Sequence, residues 1–311
     1  MNEGGAQTAS PHERVPCGWI DSAHMGYNRK ESSILKSKHI SNFILILMLL
    51  VGLCLLLYPS FANLWNSINA TKAITNYDEA VIELDEADYT AYWNSAYEYN
   101  GLLNQRNDVF RLTDQMLERY NTELDVMGNG VMTYVNIPKL NVNLPVYHGS
   151  DEAVLQVAVG HLEWSSLPVG GESTHCVVSG HRGLPSAKLF TELDKMEIGD
   201  TFTLKTLGET LTYQVDQILI VEPTDVEPLY IVEGEDYCTL LTCTPYGINS
   251  HRMLVRGTRI ENVEEEQFIR VTADAALVEP VLVAPLVAAP MLLILLIIVL
   301  IPKRKNRRED L

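Results

Sequence analysis

The chain has 311 residues, 40 acidic against 23 basic, for a net charge of −17. That length holds one sizeable domain plus additional segments, and the acid excess argues against nucleic acid as a partner, because phosphate contacts need a basic surface. Five cysteines are too few for a disulfide-rich scaffold, and no C-x-x-C or His/Cys cluster has zinc spacing, so neither a metal nor a cofactor is expected.

Residues 1–42 read as a basic flank. The following run, residues 43–61, is apolar, with FILILMLLVGLCLLLY at 43–58 and no charge through Trp65. It is long enough to cross a bilayer, which takes about 20 apolar residues. It begins later than a cleaved leader, whose usual length is about 15–30 residues, and no small-x-small site follows closely, so an uncleaved anchor is expected. Residues 62–130 form an external segment. Within it, residues 71–127 are rich in Ala, Leu, Glu, Asn and Tyr, with apolar residues at helical spacing, as in Val109-Phe110-Arg111-Leu112 with Met116-Leu117. Two or three helices are expected, joined around 100–108 and closed by the Gly128-Asn129-Gly130 turn.

Residues 131–261 change texture. Strands are predicted at 131–137, 142–147, 176–179, 201–206, 210–221, 237–242 and 253–260, punctuated by Gly and Pro. Short strands with few helices predict a mainly β domain, a closed or nearly closed β-barrel. Residues 262–276 are a polar linker. Residues 277–302 read as a second transmembrane helix, with one acid, Glu279, near its outer end, and Lys303, Arg304, Lys305, Arg307 and Arg308 follow in a cytoplasmic tail at 303–311. Lys and Arg collect on cytoplasmic flanks. Ten of the 23 basic residues lie in the two flanks but only 6 of the 40 acids do, so both termini are expected inside and the part between, with 34 acids and 13 bases, outside.

Two stretches carry chemistry. One is Val178-Ser179-Gly180-His181-Arg182-Gly183. The other is Thr239-Leu240-Leu241-Thr242-Cys243-Thr244-Pro245-Tyr246-Gly247, followed by Asn249-Ser250-His251-Arg252-Met253-Leu254-Val255-Arg256-Gly257. Pro245 and Gly247 stop the strand just past Cys243, which puts a thiol at a strand end beside a loop. His181 likewise follows a strand and is flanked by glycines.

These residues resemble the sortase family. Its T-L-x-T-C nucleophile motif stands here at Thr239 to Cys243, its histidine follows a strand as His181 does, and its arginine lies on the next strand, where Arg252 stands. The G-H-R-G-L, T-C-T-P-Y-G and H-R-M-L-V-R-G stretches, and the second span, look like class C, the pilin-polymerising sortases. The resemblance covers 130–260 closely and the helical segment more loosely. It implies a sortase-like barrel and cysteine transpeptidation, with Cys243 as nucleophile, His181 as general acid, and Arg252 as donor to substrate or oxyanion. The implied substrates are pilins or surface proteins with an LPxTG-like sorting signal, cut between Thr and Gly through a thioester. The implied acceptor amine is a pilin lysine, or a cell-wall precursor in a housekeeping-type enzyme. A catalytically inactive membrane scaffold is the reading from another class, against which His181, Cys243 and Arg252 all stand intact.

His161 and His175 compete with His181, but neither is glycine-flanked after a strand. Arg256 shares strand parity with Arg252. Asp216, Glu222 and Asp225 could each orient His181, and the sequence selects none of them. Cys176 and Cys238 each lie five residues before a candidate, an odd offset that turns them from the active-site face, as two buried free thiols rather than a bridge. Class C enzymes carry a lid with an Asp-Pro-aromatic motif. Its nearest match here is Asp108-Val109-Phe110, where Asp108 would pair with Arg252 and Phe110 would cover Cys243. Valine stands in place of the proline that would keep a lid out of helix, so an ordinary helical turn with Phe110 in a helix core is the alternative.

Overall fold

The computed structural model describes residues 21–106, 110–262, 290–292 and 294. Of the described residues, those from 56 to 262 form one compact unit, and 21–55 with 290–292 and 294 form another, which is helical. Helix α1 is Asp21–Ile82 and includes Pro59. Among the described residues, its part Asn42–Ile82 alone is long and apolar enough to cross a membrane. The expected second span at 277–302 lies outside the described residues except at 290–292 and 294, as do Asp108 and Val109.

Two further helices follow, and both start on side-chain caps that satisfy backbone N–H groups left without a partner in the first turn. Asp85 accepts from Asp88 N at 2.8 Å to open α2 (Glu86–Leu103). Thr113 accepts from Met116 N at 3.3 Å to open α3 (Asp114–Tyr120). Phe110 lies in the turn between them, so the reading that placed it in a helix core does not hold.

The remainder is an eight-stranded closed barrel in the order β1-β2-β3-β4-β7-β8-β6-β5. The strands are β1 (Val131–Ile137), β2 (Val142–His148), β3 (Val159–His161), β4 (Thr174–Ser179), β5 (Thr201–Thr206), β6 (Glu209–Val221), β7 (Asp236–Thr244) and β8 (His251–Ile260). Helix α4 (Glu152–Leu155) sits between β2 and β3. Closure pairs β1 with β5 and leaves no free edge. The pairs β2/β3 and β4/β7 are parallel and the rest antiparallel.

Side chains alternate across each strand, and this sorts the residues of β4, β7 and β8 into two sets. Cys176, Val178, Cys238, Leu240, Met253 and Val255 join the barrel interior. Val177, Leu241 and Leu254 cluster on the other face with Leu229, Leu162 and Trp164. Helices and barrel meet in a third cluster that includes Tyr77, Tyr99, Tyr120, Met132 and Leu167. There the buried Tyr77 hydroxyl donates to Met132 O at 3.0 Å and accepts from Leu207 N at 2.8 Å, which ties α1 to two parts of the sheet.

Candidate active site

The parallel register of β4 on β7 places Ser179 opposite Leu241. The ladder runs on past the end of β4, since Gly180 N donates to Leu241 O at 3.0 Å and Thr242 Oγ1 to Gly180 O at 2.7 Å. Two residues beyond each member of the Ser179/Leu241 pair come His181 and Cys243, which are therefore brought level. On the other side, antiparallel pairing puts Arg252 directly opposite Cys243, and Val221 of β6 pairs with Arg252 in turn. Directly opposed residues of an antiparallel pair have Cβ atoms about 5 Å apart on one face. The strand order β4-β7-β8 thus sets His181, Cys243 and Arg252 abreast.

All three line one cavity of about 330 Å³ on the outer face of the barrel, together with Leu162, Trp164, Leu229 and Leu254. Those four apolar side chains cluster together, and the lining adds the three chemical groups. Cys243 is half-buried, and the His181 side chain is 28% exposed. Gly180 is required by packing, because a Cβ there would come within 2.8 Å of Phe190 and of Val159. Gly183, at φ +80°, takes a left-handed conformation, and a Cβ on it would meet the Tyr246 ring at 2.9 Å. Arg252 is oriented by its own loop, its Nη1 donating to Asn249 O at 3.2 Å and to His251 O at 3.1 Å.

The competing residues are engaged elsewhere. His161 is buried, and its ring nitrogens meet the Tyr120 hydroxyl at 3.0 Å and Ser166 O at 2.8 Å. His175 is buried between Tyr230 O, at 2.9 Å, and Thr239 Oγ1, at 2.7 Å. Burial lowers its pKa from 6.5 to about 4, an effect the nearby Arg256 reinforces and the hydrogen bond to Tyr230 opposes. Arg256 shares the face of Arg252 but is held bidentate by Asp216, at 3.1 and 2.6 Å, and stacks on Tyr237 at 4.1 Å. Asp216 is thereby committed to Arg256, whereas Asp225 lines the cavity. Cys176 and Cys238 are register partners inside the barrel and both thiols are free. Burial pushes the Cys238 thiol well above its ordinary pKa, and Cys176 beside it adds to that.

Two neighbours of the site went unnoticed in the sequence. Glu152 Oε2 stands 3.8 Å from His181 Nε2, although Glu152 comes from the short helix α4. Arg182 pairs with Asp194 at 2.6 Å and donates to Thr244 Oγ1 at 3.3 Å, joining the histidine loop to the strand of Cys243. Only its place beside His181 in the G-H-R-G stretch hinted at this. The expected lid residue Phe110 is 37% exposed. Its ring packs on Trp164, centroids 4.8 Å apart, and on Tyr230 at 5.5 Å. Arg106, at the other end of that segment, donates to Trp164 O at 3.0 Å.

Comparison with known proteins gives the family. The family description "Sortase domain" matches residues 135–260. Sortase C1 from Streptococcus agalactiae is 52% identical in its crystal structure, with a TM-score of 0.60, over 62% of this chain and 100% of that one. Sortase C from Streptococcus pneumoniae is 47% identical with a TM-score of 0.54, over 61% of this chain and 96% of that one. Among curated relatives, sortase D of Bacillus subtilis is 30% identical over 129 residues, 40% of this chain and 62% of that protein. The chain spans 40% and 45% of two others, a Streptomyces coelicolor sortase and Streptococcus agalactiae sortase A. The chain belongs to the sortase family of cysteine transpeptidases, and its solved neighbours place it with the class C sortases.

Proposed function

We propose that the chain is a membrane-anchored transpeptidase that joins pilin subunits through Cys243. The observation that carries this reading is the alignment of Cys243 level with His181 and opposite Arg252 in one cavity. Cys243 Sγ, as thiolate, attacks the Thr–Gly carbonyl of an LPxTG-like sorting signal, and a tetrahedral intermediate forms. Arg252 donates hydrogen bonds to the developing oxyanion. His181 protonates the leaving glycine amine, which breaks the C–N bond and leaves a thioester on Cys243. An incoming amine, deprotonated by His181, attacks the thioester and releases the thiolate. The apolar side of the cavity, formed by Leu162, Trp164, Leu229 and Leu254, suits the Leu and Pro of such a signal.

A pilin lysine is the acceptor in this reading. Supporting it are the likeness to class C structures and the fact that the pneumococcal neighbour is one described for pilin substrate specificity. The basic flanks at both ends favour a two-pass topology with the barrel outside the cell, on a Gram-positive surface. Asp108 and Phe110 are assigned to a lid over the cleft. The packing of Phe110 on Trp164, a residue of the cavity wall, supports this, and a lid mutant is known for the Streptococcus agalactiae enzyme.

The test incubates the chain with a quenched LPxTG-type peptide and either a pilin domain or a cell-wall-like oligoglycine amine, with Cys243→Ala alongside. Cleavage with linkage to the pilin lysine, absent in the variant, supports the reading. Linkage to oligoglycine alone would point to a housekeeping-type enzyme, and no cleavage with or without Phe110→Ala would leave the scaffold reading.

A further inference from the structure

We propose that the loop between β7 and β8 rests in the headgroup layer of the membrane, so that the bilayer surface itself borders the candidate active site. The reasoning starts from charge. Outside the two flanks the chain carries 34 acids and 13 bases, yet residues 41–71 hold no charged residue, nor do residues 244–250 or 183–187. An acidic exterior is repelled by anionic lipid. The uncharged stretches are the exception to that exterior, and the fold gathers them in one place.

They meet along α1, just past its apolar run. Asn63 Oδ1 accepts from Lys188 N at 2.9 Å, and Asn66 Nδ2 donates to Val157 O at 2.8 Å. Between Pro59 and Asn63 on one side, and Gly183, Leu184 and Tyr246 on the other, lies a cavity of about 420 Å³. The same turns of α1 present Tyr58, Phe61 and Trp65 outward, Trp65 at 70% exposure. Exposed Tyr and Trp at the end of an apolar helix mark the level of the membrane–water interface. The β7–β8 loop adds two large apolar side chains at this end of the barrel, Tyr246 at 61% and Ile248 at 73% exposure.

The occupant is lipid rather than protein because this patch continues a membrane segment. The apolar run 43–58 ends at Tyr58, and Asn63, which holds the barrel, is five residues on, about 8 Å of axial rise. A loop whose neighbours are fixed that close to the end of the span lies within reach of the headgroups. Cys243 is three residues from Tyr246, so the thiol would lie close to the membrane surface. The surface assignment stands independently of the reaction proposed above.

The test uses the full chain in nanodiscs with and without lipids brominated near the headgroup. The variants are Ile248→Trp and, as a control at the opposite end of the barrel just before the start of β7, Val232→Trp, whose parent side chain is 45% exposed. Relative to wild type, the emission added by the tryptophan at 248 should fall at least twofold with brominated lipid, while that at 232 stays unchanged. Equal quenching at both positions, or at neither, overturns the proposal. So does failure of the chain to insert into nanodiscs, which would remove the span on which it rests.

Discussion

Buried His175 makes stability depend on pH in a way that can be worked out. The ring sits in β4 with Nδ1–H donating to Tyr230 O, and in the neutral form the Thr239 hydroxyl donates to Nε2. Protonation leaves a desolvated cation near the Arg256 guanidinium, so the folded pKa falls to about 4 from an ordinary 6.5. A folded pKa below the unfolded one contributes stability that is fully present above pH 6.5 and is lost as pH falls toward 4. At about 1.4 kcal/mol per pH unit, a gap of about 2.5 units amounts to about 3 kcal/mol. The consequence extends to function, because Tyr230 supports Phe110 and follows Leu229 in the cavity wall. The assay is urea denaturation of wild type and His175→Gln at half-unit steps from pH 7.5 to 4. Wild type should be the more stable at neutral pH, and the two curves should converge as the pH drops through that window. Parallel curves would refute the reasoning, since other titrating groups, His148 among them, are common to both proteins.

Three further outcomes are expected. Tyr77→Phe keeps the ring but strands Met132 O and Leu207 N, and at about 1–3 kcal/mol for each unsatisfied group it should cost about 2–6 kcal/mol in a denaturant titration. Phe110→Ala removes two aromatic contacts, together about 1–3 kcal/mol, so alkylation of Cys243 by a small reagent should speed up about fivefold or more; an unchanged rate would count against a lid. Arg252→Ala should lower turnover of a sorting-signal peptide by about 10²–10³-fold, the usual effect of losing one oxyanion donor. Arg256→Ala, which severs only the Asp216 and Tyr237 contacts, should act mainly on stability, and steady-state kinetics of the pair separates the two arginines.

Much of the barrel was legible because its strands follow simple rules. β1 and β5 match their predicted bounds, and the β4, β6, β7 and β8 segments each extend the predicted strand by one or two residues at one or both ends. β3 was missed, since Val159-Gly160-His161 is three residues long, carries a glycine, and is a strand only through its partners β2 and β4. α1 runs unbroken from the apolar segment to Ile82, so the expected boundary at 61 is not a break in the helix. Parity correctly turned Cys176 and Cys238 inward but could not separate Arg252 from Arg256, which lie on one face. What separates them is tertiary: Asp216 comes from β6, forty residues away in sequence. Glu152 beside His181 was invisible for the same reason, as an exposed acid on a one-turn helix shows no pattern until the chain is folded.

The central claim, that Cys243 carries the acyl group between two substrates, is tested most directly by intact-mass measurement. The chain is mixed with an LPxTG-type peptide in the absence of an acceptor amine and quenched in acid. The account predicts an adduct of the mass of the peptide up to threonine. That adduct should map to Cys243, persist in acid, and disappear on addition of hydroxylamine or a lysine-bearing pilin domain with transfer of the acyl group. Peptide cleavage without any adduct, or an adduct that survives in Cys243→Ala, would contradict it.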